Sequence, residues 1–370
     1  MHEENLVLNC DIIVHISLGG YFMQNDVIQK IKIGDLNFSD PFFNSLREDY
    51  FGFDSWIGRK SREDAYILVN QNQLSGFLYL KDELEADESI TPPFDMRRRL
   101  KIGTFKIDSH GTVLGQRFLS IILRKMLNEG YDFTYVTLFP KQKGLIKLFE
   151  RFGFRKWGEK GNGELVYFKD LTVFNDIYKD FPRINLSANS QKHLLGVWPK
   201  FHTKLFPNSR LNTERNHVVE DLSFTNTSEK IYLTKMSGVQ YMLPGDLVVI
   251  YRTAESGKTA EYSSVATSVC TVVEVTDIYN FSSMNNFLQY CGKGTIFTQS
   301  ELVNFWNNKR YPYIIKMLYN APLVRRIIRK DLIEQIGLDR NNYFGYLTLT
   351  DNQFYKILEI GEINESFIIN

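Results

Sequence analysis

A short loop at positions 110–116 contains residue types that suit the binding of a diphosphate. Its residues are His110, Gly111, Thr112, Val113, Leu114, Gly115 and Gln116. A strand-like pattern precedes the loop (101–108), and a helix-like pattern follows it (116–128). The first amides of a helix have no intrahelical partners and lie at the positive end of its dipole. Glycines let the backbone turn those amides towards a phosphate, although two glycines before a helix are a weak signal alone.

Basic and aromatic side chains alternate further along the chain, between residues 183 and 217. The residues that we predict to contact nucleic acid are Lys200, His202, Lys204, Arg210 and Arg252, with Trp198, Phe201 and Phe206 among them. Positive charge beside aromatic rings suits phosphate contact together with base stacking. A solvated linker between domains has the same composition, so that alternative stays open. A second basic group at 325–330 is predicted on a short helix, where a solvated face is the alternative.

The elements around the loop alternate between helix and strand. Apolar residues at a spacing of three or four predict helices from Asp40 onwards, and two short strands (65–70 and 74–81) form a hairpin. Then come a strand (98–108), a helix to Asn128, a strand (133–139), a helix (142–151) and a strand (165–168). This order predicts a mixed α/β layer.

This order, and the segment Leu145–Phe154 that closes it, resemble the GNAT superfamily of N-acetyltransferases over about residues 41–171. In that family the fourth strand leads into an Arg/Gln-x-x-Gly-x-Gly/Ala loop, and a later helix ends in Tyr-x-x-x-Gly-Phe. Gly111 and Gly115 match the loop. His110 replaces its Arg or Gln, and Val113 replaces its middle glycine.

The resemblance implies acetyl-CoA, or another acyl-CoA, as the cofactor. Its pantetheine arm would lie along the strand 101–108, and an N–H near Phe105 would stabilise the oxyanion while an amine attacks the thioester directly. The predicted cofactor-binding residues are Phe105, Lys106, Ile107, His110, Gly111, Thr112, Val113, Leu114, Gly115 and Gln116. The family's usual base is missing from 99–102, and Phe149 stands where a tyrosine usually acts as the acid. The catalytic residues are therefore unknown.

The later sequence resembles the PUA-like group, which includes ASCH and EVE modules, over about residues 225–365. The resemblance rests on Leu243-Pro244-Gly245-Asp246 opening a strand, and on the strand-like segments around it. It implies a small β-barrel with a cleft that receives RNA or a modified base. Pro-Gly-Asp is also an ordinary turn signal, so a barrel without that function remains the alternative.

Bulk composition excludes several classes of protein. The 370 residues carry a net charge of +1, which gives no global electrostatic attraction to nucleic acid or membrane. Cys10, Cys270 and Cys291 show neither disulfide nor zinc spacing, so no metal is predicted and free buried thiols are expected. No apolar run is long enough for a membrane span, and the first residues do not resemble a signal peptide. We therefore predict a cytoplasmic protein.

Together these patterns predict an α/β (α+β) protein with a GNAT-like mixed sheet flanked by helices and a C-terminal PUA-like small β-barrel. The predicted domains are 1–171, a basic linker (172–224) and 225–370. The favoured function is an N-acyltransferase whose second domain recognises RNA, for example a tRNA. The alternatives are a nucleic-acid-binding regulator or defence protein with a degenerate GNAT domain, and an enzyme that acts on a protein or small amine. The acceptor, the acyl chain length and the oligomeric state do not follow from the sequence.

Overall fold

A computed structural model describes residues 16–18, 21–23, 28–70, 73–108, 114–187, 189–206, 228–292, 295 and 297–370, with side chains from residue 28 onwards. The fold is α/β (α+β), with mixed sheets and flanking helices, as predicted. The chain divides into two compact units, one from the described residues of 1–80 and 103–110, the other from 81–102 and 111–370. Two strands, Gln73–Glu83 and Arg99–Ile107, contribute to both units. The predicted domain boundaries do not coincide with this division, and they stay a proposal about functional domains.

In the first unit, a sheet packs against two short helices. Its strands have the order Ile28–Lys32, Asp64–Asn70, Gln73–Glu83, Arg99–Ile107. The helices Asn44–Asp49 and Phe53–Gly58 follow a 3-10 turn, and their apolar residues share one core with the sheet. The predicted helices and hairpin are confirmed. Two further strands, Ile16–Leu18 and Tyr21–Met23, pair antiparallel.

In the second unit, the chain up to residue 170 forms a run of paired strands that begins with the two strands contributed to both units. Its strands have the order Gln73–Glu83, Arg99–Ile107, Phe133–Leu138, Leu165–Asp170, Arg155–Lys160, Ile90–Thr91. The helices Leu114–Asn128 and Lys143–Arg151 occupy the predicted places. The strand Arg155–Lys160 was not predicted, because its largely polar sequence has little of the alternation that marks a half-buried strand.

The helix Leu114–Asn128 is enclosed, since 13 of its 15 residues are buried. Two of its polar side chains, Ser120 and Arg124, bond to the C-terminal part of the chain. Ser120 and Ser228 share a hydrogen bond, and the Ser228 hydroxyl also donates to the Gln116 carbonyl over 3.0 Å. The Arg124 guanidinium donates to the Tyr319 carbonyl over 2.6 Å. The two parts of this unit therefore share one interior.

The C-terminal part contains a six-stranded sheet, in the region where the small barrel was expected. Its strands have the order Glu229–Thr234, Tyr313–Ile328, Val265–Asp277, Leu247–Arg252, Lys192–Val197, Tyr346–Leu349. Lys192–Val197 and Leu247–Arg252 pair parallel, and the other neighbours pair antiparallel. Apolar clusters cover both faces. Short strands Ile184–Asn185 and Ile368–Ile369 pair parallel beside it.

Helices connect and cover this sheet. They are Pro199–Leu205, Ala260–Ser263, Met284–Cys291, Gln299–Asn308, Arg329–Glu334 and Asp351–Ile360. Arg325 and Arg326 lie on the long strand Tyr313–Ile328, and the predicted basic helix begins only at Arg329. Cys270 and Cys291 are free and buried, as expected, whereas Cys10 lies outside the described residues.

Part of the predicted linker is an inner strand of this sheet. The residues of Lys192–Val197 are all buried, and the strand has a paired neighbour on each side. The basic composition concealed it because its charges are satisfied internally. The Lys192 ammonium lies 2.8 Å from an Asp351 carboxylate oxygen, and His193 Nε2 lies 3.1 Å from Asp246. Asp246, from the Pro-Gly-Asp turn, also accepts the Gln191 amide over 2.9 Å.

Candidate functional site

The strand Arg99–Ile107 loses its parallel partner half-way along. Pairing with Phe133–Leu138 covers four residue pairs, from Arg99↔Phe133 to Ile102↔Val136. The strand then continues for five residues to Ile107, and the Asp108 amide donates to the Ser75 carbonyl over 3.1 Å. A strand that outlasts its neighbour leaves backbone groups that a ligand with amide groups can pair with.

Three predicted cofactor-binding residues lie on this part of the strand. Phe105 is buried and Ile107 is half-buried. Lys106 is held locally, because its ammonium donates to the Phe42 carbonyl and to the Ser45 hydroxyl (2.7 Å) and lies 3.4 Å from Asp108. Its charge is therefore partly neutralised within the first unit.

Four other predicted cofactor-binding residues, His110, Gly111, Thr112 and Val113, lie outside the described residues. The structure describes helix from Leu114 onwards, and Leu114, Gly115 and Gln116 are buried in it. The Gln116 amide oxygen is buried without a hydrogen-bond partner in the described part of the chain. Amides at a helix N-terminus suit a diphosphate, and a buried amide oxygen can accept a ligand N–H or O–H.

The expected catalytic acid is absent from its usual place. Phe149 is fully buried, and its ring packs edge-on against Phe154 with centroids 4.7 Å apart. A phenyl ring there has no proton to give. Tyr79 and Tyr135 are buried, and each hydroxyl donates to a carboxylate, Glu63 for Tyr79 and Glu83 for Tyr135.

Sequence reasoning missed Glu83, because the predicted hairpin ended at residue 81. It is the last residue of the strand Gln73–Glu83, and its side chain is only 10% exposed. Alternation along the strand puts it on the same face as Lys81 and Tyr79. Its carboxylate thus stands beside Arg99 and Lys101, at the start of the strand Arg99–Ile107. The period of two was the signal that could have located it.

Four donors surround the Glu83 carboxylate. The Tyr135 hydroxyl donates over 2.7 Å and the Lys81 ammonium over 2.8 Å, while Arg99 Nε lies at 3.4 Å and the Lys101 ammonium at 3.6 Å. Burial by itself raises the pKa of Glu83, but Lys81, Lys101 and the Tyr135 hydroxyl outweigh it, so the pKa is lowered. Burial lowers the pKa of Lys101, and Glu83 opposes that change. Glu83 is therefore a stable carboxylate and a poor base.

In the first unit, Gly103 is required by a close approach. A Cβ atom at Gly103 would lie 2.7 Å from the ring of Tyr79, closer than such atoms are found in proteins. The Tyr79 hydroxyl donates to Glu63, which also pairs with Lys60 over 2.7 Å. Glu63 is thus a second carboxylate that accepts a tyrosine hydroxyl from the strand Gln73–Glu83.

A cleft of about 720 Å³ opens at the edge of the C-terminal sheet. The strands Lys192–Val197 and Leu247–Arg252 are parallel, so their carboxyl ends meet there. Trp198 and Tyr343 line the cleft with side chains that are 63% and 71% exposed. Further lining residues include Lys200, Tyr251, Glu255, Ser264, Arg329 and Phe344.

Arg329 gives the cleft a fixed positive charge. Its guanidinium stacks on Phe344, with 4.1 Å between the guanidinium carbon and the ring centroid, and donates to the Arg340 carbonyl over 3.2 Å. Its Nε is buried with no hydrogen-bond partner among the described residues. Two exposed rings and a fixed cation are a combination that suits a planar, negatively charged ligand.

The predicted nucleic-acid residues fall into three groups. Lys200 lines the cleft, and Lys204 is exposed on the same short helix. His202 and Arg252 are buried: His202 bonds the Thr267 hydroxyl over 2.9 Å, and Arg252 donates to Glu255 over 2.8 Å. Burial, reinforced by nearby Arg252 and Arg326, lowers the pKa of His202 to about 3. Arg210 lies outside the described residues.

The comparisons with known proteins give structural similarity without sequence similarity. No protein-family model and no curated protein matches the sequence. The chain is similar to an ASCH protein from Zymomonas mobilis, with 10% identity over 46% of this chain and 94% of that one, at a TM-score of 0.30. It is also similar to a GNAT-family acetyltransferase from Staphylococcus aureus, with 12% identity over 40% of this chain and all of that one (100%), at 0.30. A GNAT-family acetyltransferase from Listeria monocytogenes has 15% identity over 33% and 72%, at 0.26.

Two other kinds of feature, a membrane-spanning helix and a metal-binding cluster, are absent from the described ranges. No helix there combines the length and the apolar character that a bilayer crossing needs. Nor do His, Cys, Asp and Glu side chains of those residues gather in threes at metal-binding distance.

Proposed function

We propose that this protein is a cytoplasmic N-acyltransferase that moves an acyl group, acetyl in the simplest case, from acyl-CoA to an amine. We further propose that its C-terminal part recognises RNA, such as a tRNA, or another nucleic-acid-linked substrate. The observation that carries the proposal is the strand Arg99–Ile107. Its parallel pairing ends at Ile102, the strand continues to Ile107, and a buried helix is described from Leu114 onwards.

In this proposal the backbone performs most of the cofactor binding. Amides around the start of the helix Leu114–Asn128 hold the diphosphate, and the strand up to Ile107 pairs with the pantetheine arm. The Gln116 oxygen accepts a donor from the cofactor. The bound acyl-CoA supplies an activated thioester, whose thiolate has a pKa near ~8.5 and can depart without an acid. The missing tyrosine at Phe149 is then tolerable.

The C-terminal cleft supplies substrate choice. Trp198 and Tyr343 offer ring faces for nucleobases, and Arg329 and Lys200 offer positive charge for the phosphate backbone. The two functions reside in one chain so that the amine is selected in one place and acylated in another.

A charge placed in the loop tests cofactor binding. Thr112→Asp puts a carboxylate where the diphosphate is proposed, while a carboxylate before a helix is favourable for folding. Calorimetric titration with acetyl-CoA is expected to show affinity at least ~10-fold weaker than in the parent chain, since a close like charge costs more than 1.4 kcal/mol. Thr112→Asn, of equal size but neutral, should stay within ~2-fold. No heat from acetyl-CoA with the parent chain would end the proposal.

The second candidate is a nucleic-acid-binding regulator or defence protein whose GNAT-like part senses a cofactor without catalysis. Phe149 favours it, together with the absence of a carboxylate from positions 99–102. Thiol release separates the two candidates. An acyltransferase frees CoA in proportion to added acceptor amine, whereas a sensor binds acetyl-CoA and frees none with RNA, protein or small-amine acceptors.

A further inference from the structure

Three cations share one carboxylate at the start of the strand Arg99–Ile107. We call Lys81, Arg99 and Lys101, gathered around Glu83, the cationic cluster. All three nitrogen atoms lie within 3.6 Å of the carboxylate oxygens, at 2.8, 3.4 and 3.6 Å. One carboxylate carries one negative charge, so the cluster holds an excess of positive charge.

The wider surroundings do not remove the excess. The Lys101 ammonium also interacts with Lys160, a cation, and with Asp87, an anion. Among these six groups, four are cations and two are carboxylates, Glu83 and Asp87. The Arg99 Nε is buried and faces the Glu83 carboxylate at 3.4 Å without making a hydrogen bond to the described part of the chain.

The three cations of the cluster differ in how far their side chains are exposed to solvent. The side chains are 3% exposed for Arg99, 24% for Lys101 and 47% for Lys81. Glu83 and the ring of Tyr135 lie against the cations, with the Arg99 guanidinium carbon 5.9 Å from the Tyr135 ring centroid. Uncompensated charge in a low-dielectric environment is costly, so an anion that enters from solvent is held there more strongly than at an exposed lysine.

We propose that the cationic cluster is the acceptor subsite, and that it binds an anionic group, a phosphate or a carboxylate, carried by the amine that is acylated. The proposal rests on the acyltransferase function above. Lys101 is four residues before Phe105, and a strand rises ~3.4 Å per residue. Measured along this strand, Lys101 and Phe105 are about 14 Å apart, a length that a nucleotide or a short peptide spans.

Inorganic phosphate and acetate are direct probes of the subsite. Calorimetry on the full chain, saturated with CoA so that its diphosphate site is occupied, should show one saturable phosphate or acetate site. Lys101→Met and the more exposed Lys81→Met each should weaken it at least ~5-fold. Lys156→Met, an exposed lysine on the strand Arg155–Lys160, should leave it unchanged. Whichever anion binds more tightly identifies the acceptor as phosphorylated or carboxylated.

The outcomes keep the two proposals apart. CoA binding with no saturable anion site, or an anion site that Lys101→Met and Lys81→Met leave intact, overturns the acceptor subsite and spares the acyltransferase. An anion site sensitive to both changes in a chain that does not bind CoA confirms the site and overturns its role in acyl transfer.

Discussion

Basic side chains have opposite roles in two regions of the second unit. In the cationic cluster, Arg99 and Lys101 outnumber the single carboxylate of Glu83 and the cluster opens to solvent. In the C-terminal part, His202, Lys230 and Arg252 are buried. Burial lowers the pKa of His202 and of Lys230, and His202 and Arg252 bond local acceptors. The first arrangement can attract a ligand, whereas the second supports the fold. Residue type and spacing do not separate these roles, because the facing strand decides whether a charge is satisfied.

The prediction with the largest expected effect concerns His202 and the stability of the folded chain at low pH. Its pKa is about 3 in the folded chain because of burial, against 6.5 when unfolded, so the unfolded chain binds more protons between these values. Stability is complete above pH 6.5 and is lost as the pH falls towards 3, by about 3 kcal/mol at pH 4. Urea unfolding at pH 7, 5.5 and 4 should show this slope reduced by His202→Gln. His193 is present in the parent chain and in the variant, so its contribution to the pH dependence of stability is the same in both. Equal slopes would mean that His202 is solvated.

Lys230 should give the next largest effect. It is fully buried between Phe206 and Tyr319, and burial lowers its pKa to about 7, with Arg117 and Arg124 adding to the shift. Stability is therefore complete above pH 10.5 and is lost as the pH falls towards 7.

Lys230→Met is expected to raise the free energy of unfolding at pH 7 by about 2 kcal/mol, with a smaller gain at pH 9.5. Lys81→Met, at a half-exposed site, should change it by less than about 0.5 kcal/mol. Chemical denaturation of both variants measures the contrast. A destabilised Lys230→Met chain would show that an acceptor holds the ammonium charged.

Much of the secondary structure was accessible from the sequence, because its elements have strong periodicity or clear turns. The hairpin from Asp64 to Glu83 and the helices Leu114–Asn128 and Met284–Cys291 lie within a few residues of their predicted positions. The strand Lys192–Val197 was taken for linker because its lysine and histidine find acids from distant segments, Asp351 and Asp246. Such pairings depend on tertiary contacts that a local pattern does not contain.

The candidate site was predicted less well than the fold. The strand Arg99–Ile107 and the helix Leu114–Asn128 lie within a few residues of their predicted positions, but Glu83 fell outside the predicted hairpin and the cleft residue Tyr343 was not singled out. These residues meet their partners only across strands or at the end of the sheet. His202 was selected for its basic neighbourhood, although the same helix turns it into the core.

The contrast also predicts that the proposed RNA contact of the C-terminal part is made by exposed rings rather than by its buried basic side chains. Trp198→Ala should weaken binding of a 12-nucleotide oligouridylate about 10-fold, since stacking contributes ~1–3 kcal/mol per base. Fluorescence polarisation at fixed salt measures it. Tyr355→Ala removes a ring of 45% exposure from the helix Asp351–Ile360, outside the cleft lining, and should bind as the parent does. Equal affinities for the parent chain and both variants would show that RNA does not bind in the cleft.

The smallest effects belong to the two exposed lysines of the helix Pro199–Leu205. Each phosphate contact with a single strand contributes about 0.7 to the slope of log affinity against log salt, so Lys200→Ala, at the cleft, should reduce that slope by about 0.7. At 150 mM salt this amounts to roughly a 4-fold loss of oligouridylate affinity. Lys204 is exposed on the same helix but does not line the cleft, and its replacement should have less effect. Should Lys204→Ala reduce the slope as much as Lys200→Ala, the bound strand must extend beyond the cleft along this helix. Should neither change the slope, the positive charge that draws RNA to this part of the chain comes from Arg329 and residues around it.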